Sequence, residues 1–146
     1  MLTILIGIVL FLIFIFISAI HFYWGLGGKW GADAAIPSKE NSERVINPKL
    51  PECFVVAFGL LGFGLFILVK SHVLSFKLPN WLLDYGTWAL SLIFILRAIG
   101  DFKYFGFFKK IRSTRFGRLD TRYYSPLCLG IGLLVMLLAA ERVIPT

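Results

Sequence analysis

The chain has 146 residues, of which 58% are hydrophobic and 16% are charged, and its formal net charge is +7. Soluble domains are about 45–50% apolar and about 25% charged, so the composition excludes an ordinary soluble domain. Four apolar runs without strand-like alternation predict an all-α, four-transmembrane-helix bundle and argue against a β-barrel. We predict a single integral membrane domain over residues 1–146, with spans at about 2–24, 52–70, 80–101 and 125–143.

The first apolar run, Leu2–Ile20, is interpreted as a retained helix and not as a signal peptide. Its start, Met1-Leu2-Thr3, has no basic residue, and the bulky sequence His21-Phe22-Tyr23-Trp24 follows where a small-residue cleavage site is needed.

The loop after the first run, Gly25 to Glu52, is long for a helical bundle, and loops of this length are usually functional or disordered. Its glycine-rich start, Gly25 to Gly31, predicts an irregular turn. It lacks the GxxxxGK[ST] pattern of a phosphate-binding loop.

The third apolar run is short, because only 12 uncharged residues separate Asp84 from Arg97. As a helix they cover roughly 18 Å, whereas the hydrocarbon core is about 30 Å thick. Starting the span near Asn80 brings Arg97 to one boundary and Asp101 to it or just past it. Arg97 and Asp101 are four residues apart, so we predict that they share a helical face as a pair.

The segment Phe102–Arg122 alternates aromatic and basic residues, which predicts a basic-aromatic interfacial segment before the last helix, lying in the headgroup plane. Ser125 and Pro126 are predicted as the N-cap and first residue of that helix. The predicted membrane-surface residues are Lys103, Lys109, Lys110, Arg112, Arg115 and Arg118.

The sequence provides no pattern for a cofactor or a metal site. Cys53 and Cys128 form no CxxC motif, and His21 and His72 fall on opposite sides of the predicted bundle. We therefore predict no cofactor and no metal ligand.

Basic residues predict the orientation. The first and third loops together carry twelve Lys and Arg residues, whereas the opposite side carries three. Both termini are therefore predicted outside, with loops 1 and 3 cytoplasmic. A basic stripe beside a membrane indicates anionic lipid, not nucleic acid.

This topology brings several polar and aromatic residues to the cytoplasmic mouth of the bundle. The predicted ligand-binding residues are Arg97, Asp101, His21, Trp24, Trp30, Tyr104 and Asp120. His21 and Asp101 are also candidate acid/base groups. Simpler readings stay open: Arg97 snorkels to the interface, Trp24 belongs to an aromatic belt, and Asp120 caps a turn or pairs with an arginine.

Several motifs resemble those of a family of small bacterial four-helix integral membrane proteins of unknown function. They are His21-Phe-Tyr-Trp24-x-x-Gly27-Gly28-Lys-Trp30-Gly31, Arg97-Ala-Ile-Gly100-Asp101-Phe, Gly106-Phe-Phe-Lys109, Asp120-Thr121 and Ser125-Pro126-Leu127-Cys128. The resemblance implies a bacterial plasma-membrane protein and supplies no activity, substrate or cofactor.

The leading functional hypothesis is a small membrane protein that binds an amphiphilic, anionic ligand or lipid in a pocket at the cytoplasmic mouth, with Arg97 as anchor. One alternative is a small membrane enzyme that acts on a lipid or isoprenoid by acid/base chemistry. Another is an accessory or assembly subunit of a membrane complex, with a membrane-protein partner or a second copy of itself. The sequence does not decide whether the protein is an enzyme.

Overall fold

The computed structural model of the protein describes residues 1–36 and 50–141, and this part of the chain is all-helical, without β-strands. Four helices are long and apolar enough to cross a membrane. Several residues used to predict the topology and span ends lie outside the described residues: Lys39, Arg44, Lys49, Arg142 and the predicted span end at 143. The helices are α1 (Leu2–Gly25), α2 (Ala32–Ala35), α3 (Leu50–Lys70), α4 (Asn80–Ile99), α5 (Arg115–Leu119) and α6 (Ser125–Ala140).

The bundle consists of two closely packed helix pairs, α1 with α3 and α4 with α6. Each pair has a hydrogen bond from a buried serine to a backbone carbonyl of the facing helix. Ser18 Oγ donates to the carbonyl of Ala57 at 2.7 Å, and Ser91 Oγ donates to that of Gly132 at 2.8 Å. Between the pairs, Leu10, Phe14 and other apolar residues build a continuous core. Polar contacts therefore fix the register inside each pair, while apolar packing holds the pairs together.

Helices α1 and α4 end, and α3 and α5 begin, at one end of the bundle, here called the Arg97 end. The opposite end, here called the Lys70 end, holds an ion pair between Lys70 Nζ and Asp84 Oδ1 at 2.9 Å. The Lys70 side chain is almost fully buried there. Thr3 and Glu141, near the two chain ends, also meet through a hydrogen bond of 2.5 Å.

The last membrane-length helix begins at Arg115, ten residues before the predicted start, and runs to Ala140. Thr114 is its N-cap, since Thr114 Oγ1 accepts a hydrogen bond from Gly117 N at 3.0 Å. The prediction of Ser125 as N-cap is therefore wrong. A π-helical turn, Asp120–Tyr124, joins α5 to α6 just before Pro126. Proline clashes with the carbonyl four residues earlier in a regular helix, and a wider turn avoids that clash.

The segment before this helix, residues 100–114, is irregular and contains no α-helix. The predicted headgroup-plane helix is therefore absent from these described residues. The short helix α2 of the first loop packs against α5, and Tyr124 Oη donates to the carbonyl of Ala34 at 3.1 Å. The first loop thus folds back onto the third at the Arg97 end.

Candidate functional site

Asp120 lies in the π-helical turn, and its side chain is fully buried at the Arg97 end. Four donors surround the carboxylate. Oδ1 accepts from Arg97 Nη2 at 3.0 Å, and Oδ2 accepts from Lys109 Nζ at 2.9 Å, Gly106 N at 2.8 Å and Ser125 Oγ at 3.0 Å. A buried carboxylate is stable only when it is paired and hydrogen-bonded. Asp120 therefore organises α4, the following loop and α6 around a single charge.

Lys109 is also buried, with 2% of its surface exposed. Its Nζ donates to Asp120 Oδ2, to the carbonyl of Gly106 at 2.9 Å and to Thr121 Oγ1 at 2.6 Å. The assignment of Lys109 to the membrane surface is therefore wrong. Three acceptors use the three protons of its ammonium group, so Lys109 is a structural cation.

Arg97 is the more accessible of the two cations, with about a third of its side chain exposed, 32%. Its guanidinium lies over the ring of Phe105, 4.8 Å from the centroid. One nitrogen, Nη1, is buried and has no hydrogen-bond partner among the residues that the structure describes. Arginine can donate from several N–H groups that lie in one plane. In Arg97, the N–H groups of Nη1 are unused within the described part of the chain.

The predicted pair between Arg97 and Asp101 is not formed, because α4 ends at Ile99 and Gly100 turns the chain with φ +94°. Asp101 is exposed, and its Oδ1 instead accepts from the backbone N–H groups of Lys103, Tyr104 and Phe105 at 2.7–3.1 Å. Burial alone would raise the pKa of Asp101, but these N–H donors outweigh it and lower the pKa below the ordinary 3.8. Asp101 therefore shapes the loop.

The loop that Asp101 shapes is closed by two glycines, Gly100 and Gly106. A Cβ atom at Gly100 would lie 1.8 Å from the carbonyl oxygen of Phe105, and one at Gly106 would lie 2.3 Å from Gly100 Cα. Both glycines have positive φ angles, so only residues without a side chain fit. The close approach of the two glycines places the Gly106 N–H where it can donate to Asp120.

A second cluster lies at the end of α1. His21 Nδ1 donates to the carbonyl of Ile17 at 2.8 Å, and its ring meets that of Trp24 edge-on at 5.1 Å. Trp24 Nε1 donates to the carbonyl of Trp30 at 2.9 Å and so holds the glycine-rich turn, while the Trp30 side chain is largely exposed. In the described residues, no hydrogen bond, ion pair or ring contact joins His21 or Trp24 to Arg97 or Asp120.

A family model described as a protein of unknown function, DUF3995, matches residues 14–135. The chain belongs to this family. No curated protein and no solved structure matches it. The matched range includes α3, α4 and the whole Asp120 cluster, so the site lies within the part of the chain that matches the DUF3995 model.

Of the predicted site residues, the structure brings Arg97 and Asp120 together and places Asp101 and Tyr104 in the adjoining loop. His21, Trp24 and Trp30 form the separate cluster. Sequence reasoning missed the roles of Lys109, Gly106 and Ser125 in this DUF3995 site. Their positions in the motifs Gly106-Phe-Phe-Lys109 and Ser125-Pro126 were a signal, but nothing in those motifs points to Asp120.

Two cations share one carboxylate in this cluster, which leaves a local excess of one positive charge. Arg97, with one-third of its side chain exposed, is chemically suited to pair with a further anion. Acid/base chemistry by His21 and Asp101 gains no support from their contacts, since His21 Nδ1 and Asp101 Oδ1 are both engaged with their own backbone segments.

Proposed function

We propose that this protein binds an anionic, amphiphilic ligand or membrane lipid at the Arg97 end of the bundle, with the Arg97 guanidinium as the anchor for the anionic group. The observation that carries the proposal is the buried Nη1 of Arg97, which lacks a hydrogen-bond partner in the described part of the chain. Leaving a buried charged donor unpaired is costly, and an anionic oxygen beside it would remove that cost.

The surrounding contacts support this role for Arg97. Asp120 holds Nη2 at 3.0 Å, and the guanidinium carbon lies over the ring of Phe105, 4.8 Å from its centroid. These contacts fix the guanidinium before a ligand arrives, which reduces the ordering cost of binding. Since Lys109 already neutralises Asp120, the charge of Arg97 is available to a further anion.

The location of the site follows from the proposed topology. We place the protein in the bacterial plasma membrane, with both termini outside and loops 1 and 3 in the cytoplasm. The support is the twelve basic residues on the loop 1 and loop 3 side against three on the other. In this orientation the Arg97 end faces the inner leaflet, where anionic lipids attract basic segments.

The direct test compares lipid binding by the purified wild-type protein and by the Arg97→Gln variant. Native mass spectrometry would count bound phosphatidylglycerol and phosphatidylcholine of matched chains. Hydrogen bonds to charged groups contribute about 1.5–3 kcal/mol, and 1.4 kcal/mol is tenfold in affinity. We therefore expect Arg97→Gln to lower the preference for phosphatidylglycerol about tenfold or more.

Arg122→Gln is the matched control, because it removes the same charge from an exposed arginine whose contact is with the ring of Tyr123. This variant should keep the wild-type preference. Equal losses in both variants would reduce the effect to general surface charge, and an unchanged preference in Arg97→Gln would refute the proposed role of Arg97.

A further inference from the structure

An apolar groove of about 380 Å³ lies between α3 and α4. Its two walls are matching helical stripes at spacings i, i+3, i+4 and i+7, which place each set on one helix face. The stripe on α3 consists of Gly59, Gly62, Phe63 and Phe66, and the stripe on α4 consists of Gly86, Ala89, Leu90 and Ile93.

The glycines on the α3 wall are not explained by close helix packing. A Cβ atom at Gly59 or Gly62 would meet nothing within 4 Å, whereas one at Gly64, on another face of α3, would lie 3.0 Å from Phe11. Small residues usually let helices approach each other in a membrane. At Gly59 and Gly62 the small residues instead leave open space in the groove, along the surface of α3.

Phe66 lies against Gly86 at the end of the groove nearer the Lys70 end. A Cβ atom at Gly86 would lie 2.8 Å from Phe66 Cζ, so the Phe66 ring fills that end. Because α3 and α4 run antiparallel, the same register sets Gly59 opposite Ile93, nearer the Arg97 end. Phe66 and Gly86 therefore line one end of the groove, and Gly59 and Ile93 line the end nearer Arg97.

Arg97 lies on the same face of α4 as the stripe that lines the groove. It follows Ile93 by four residues, and side chains at this spacing are neighbours on one helix face. From Gly86 to Arg97 the helix rises about 16 Å, roughly half of the 30 Å hydrocarbon core. The length from Gly86 to Arg97 therefore matches the thickness of one leaflet.

We infer that the groove holds one hydrocarbon chain of an anionic membrane phospholipid whose head group contacts Arg97. This inference rests on the proposed function and gives it a second, apolar half. Arg97 would select the charge of the head group, and the part of the groove at Gly59 and Gly62 would hold the hydrocarbon chain. With the head group at Arg97, the chain would extend along the groove toward Phe66.

The test uses the double variant Gly59→Leu/Gly62→Leu, whose leucine side chains would fill the groove. Open space at both Cβ positions and the better helix propensity of leucine favour a folded protein. Retention of phosphatidylglycerol by the purified protein should fall about tenfold, the effect of losing contact with two methylene groups. Gly130→Leu is the matched control, because a Cβ atom at Gly130 also meets nothing within 4 Å and lies outside the groove.

The outcomes separate the two proposals. If Arg97→Gln loses the phosphatidylglycerol preference while the filled-groove variant retains the lipid normally, the Arg97 site stands and the groove inference is wrong. If Arg97→Gln has no effect, the proposed function fails first. A filled groove that changes the oligomeric state without changing lipid retention would assign the groove to a second copy of the chain and overturn the inference.

Discussion

Lys109 and Asp120 form an ion pair in which both side chains are fully withdrawn from solvent, with Nζ 2.9 Å from Oδ2. Arg97 contacts the other carboxylate oxygen and remains one-third exposed. The two cations therefore divide their roles. Lys109 neutralises the Asp120 carboxylate inside the bundle. Arg97 contacts the same carboxylate but also reaches the surface of the bundle.

Asp120→Asn should strongly destabilise the protein. The substitution leaves Lys109 buried without a counter-charge, and breaking a buried pair costs about 3–5 kcal/mol. Thermal unfolding in detergent would measure the loss. The double variant Asp120→Asn/Lys109→Met removes both charges and should recover a large part of it. Equal stabilities of Asp120→Asn and the wild type would contradict the structural role of the pair.

Gly106→Ala should disrupt the loop between α4 and α5. The added Cβ would lie 2.3 Å from the carbonyl oxygen of Ile99, and the residue has φ +89°. Gly27→Ala is the control, since its φ is +92° but nothing lies within 4 Å of its Cβ. It should cost only the conformational strain, about 1–2 kcal/mol. Thermal unfolding would compare the two variants, and equal losses of stability would argue against the close approach of Gly100 and Gly106.

Gly7→Ala should weaken the contact between α1 and the end of α3. Its Cβ would lie 2.0 Å from Ser71 Oγ and 2.4 Å from Ser71 Cβ, and overpacking of this kind costs about 1–3 kcal/mol. Ser71→Gly in the Gly7→Ala background should restore part of the stability measured by thermal unfolding. Failure of the second substitution to help would show that the strain lies elsewhere.

Acid should weaken the loop that Asp101 shapes. The folded-state pKa of Asp101 lies below its ordinary 3.8, so its contribution to stability is complete above about pH 3.8 and is lost as the pH falls through the lower folded value. Asp101→Asn should therefore be less stable than the wild type near neutral pH, and the difference should shrink below pH 3.8. A difference independent of pH would contradict this assignment.

The proposed orientation can be checked by cysteine labelling of intact cells. A cysteine replacing exposed Lys110 should be shielded from an impermeant thiol reagent added outside, whereas one replacing Lys77 should react. Both would be made in a background without Cys53 and Cys128. The reverse pattern would place the Arg97 end outside and exclude an inner-leaflet ligand.

Helices α1, α3 and α6 could be predicted from the sequence because their apolar runs are long and the segments between the runs contain proline and glycine. The short third run was also interpretable, since α4 does begin at Asn80 and keeps Arg97 in its last turn. The start of the last helix was not, because Arg115 and Arg118 are polar and resemble a surface segment. Thr114 as N-cap and the π-helical turn carry the helix through that segment.

The site was harder to predict because sequence spacing favours local pairs. Asp101 follows Arg97 by four residues, but the helix ends before Asp101 because Gly100 turns the chain. Arg97 instead pairs with Asp120, which lies 23 residues later in the sequence. Lys109 and Lys110 are adjacent and chemically identical, but one is buried and the other exposed. Only the tertiary fold of the loop distinguishes them.

The Asp120 cluster also has a consequence for how the chain is made. Translation produces Arg97 and Lys109 before Asp120, so the third span leaves the ribosome with a charge that has no counterpart yet. Arg97 can reach its final, paired position only after the π-helical turn and α6 have been synthesised. A chain truncated before Asp120 would contain the membrane helices α1, α3 and α4 and still lack the residue around which loop 3 folds.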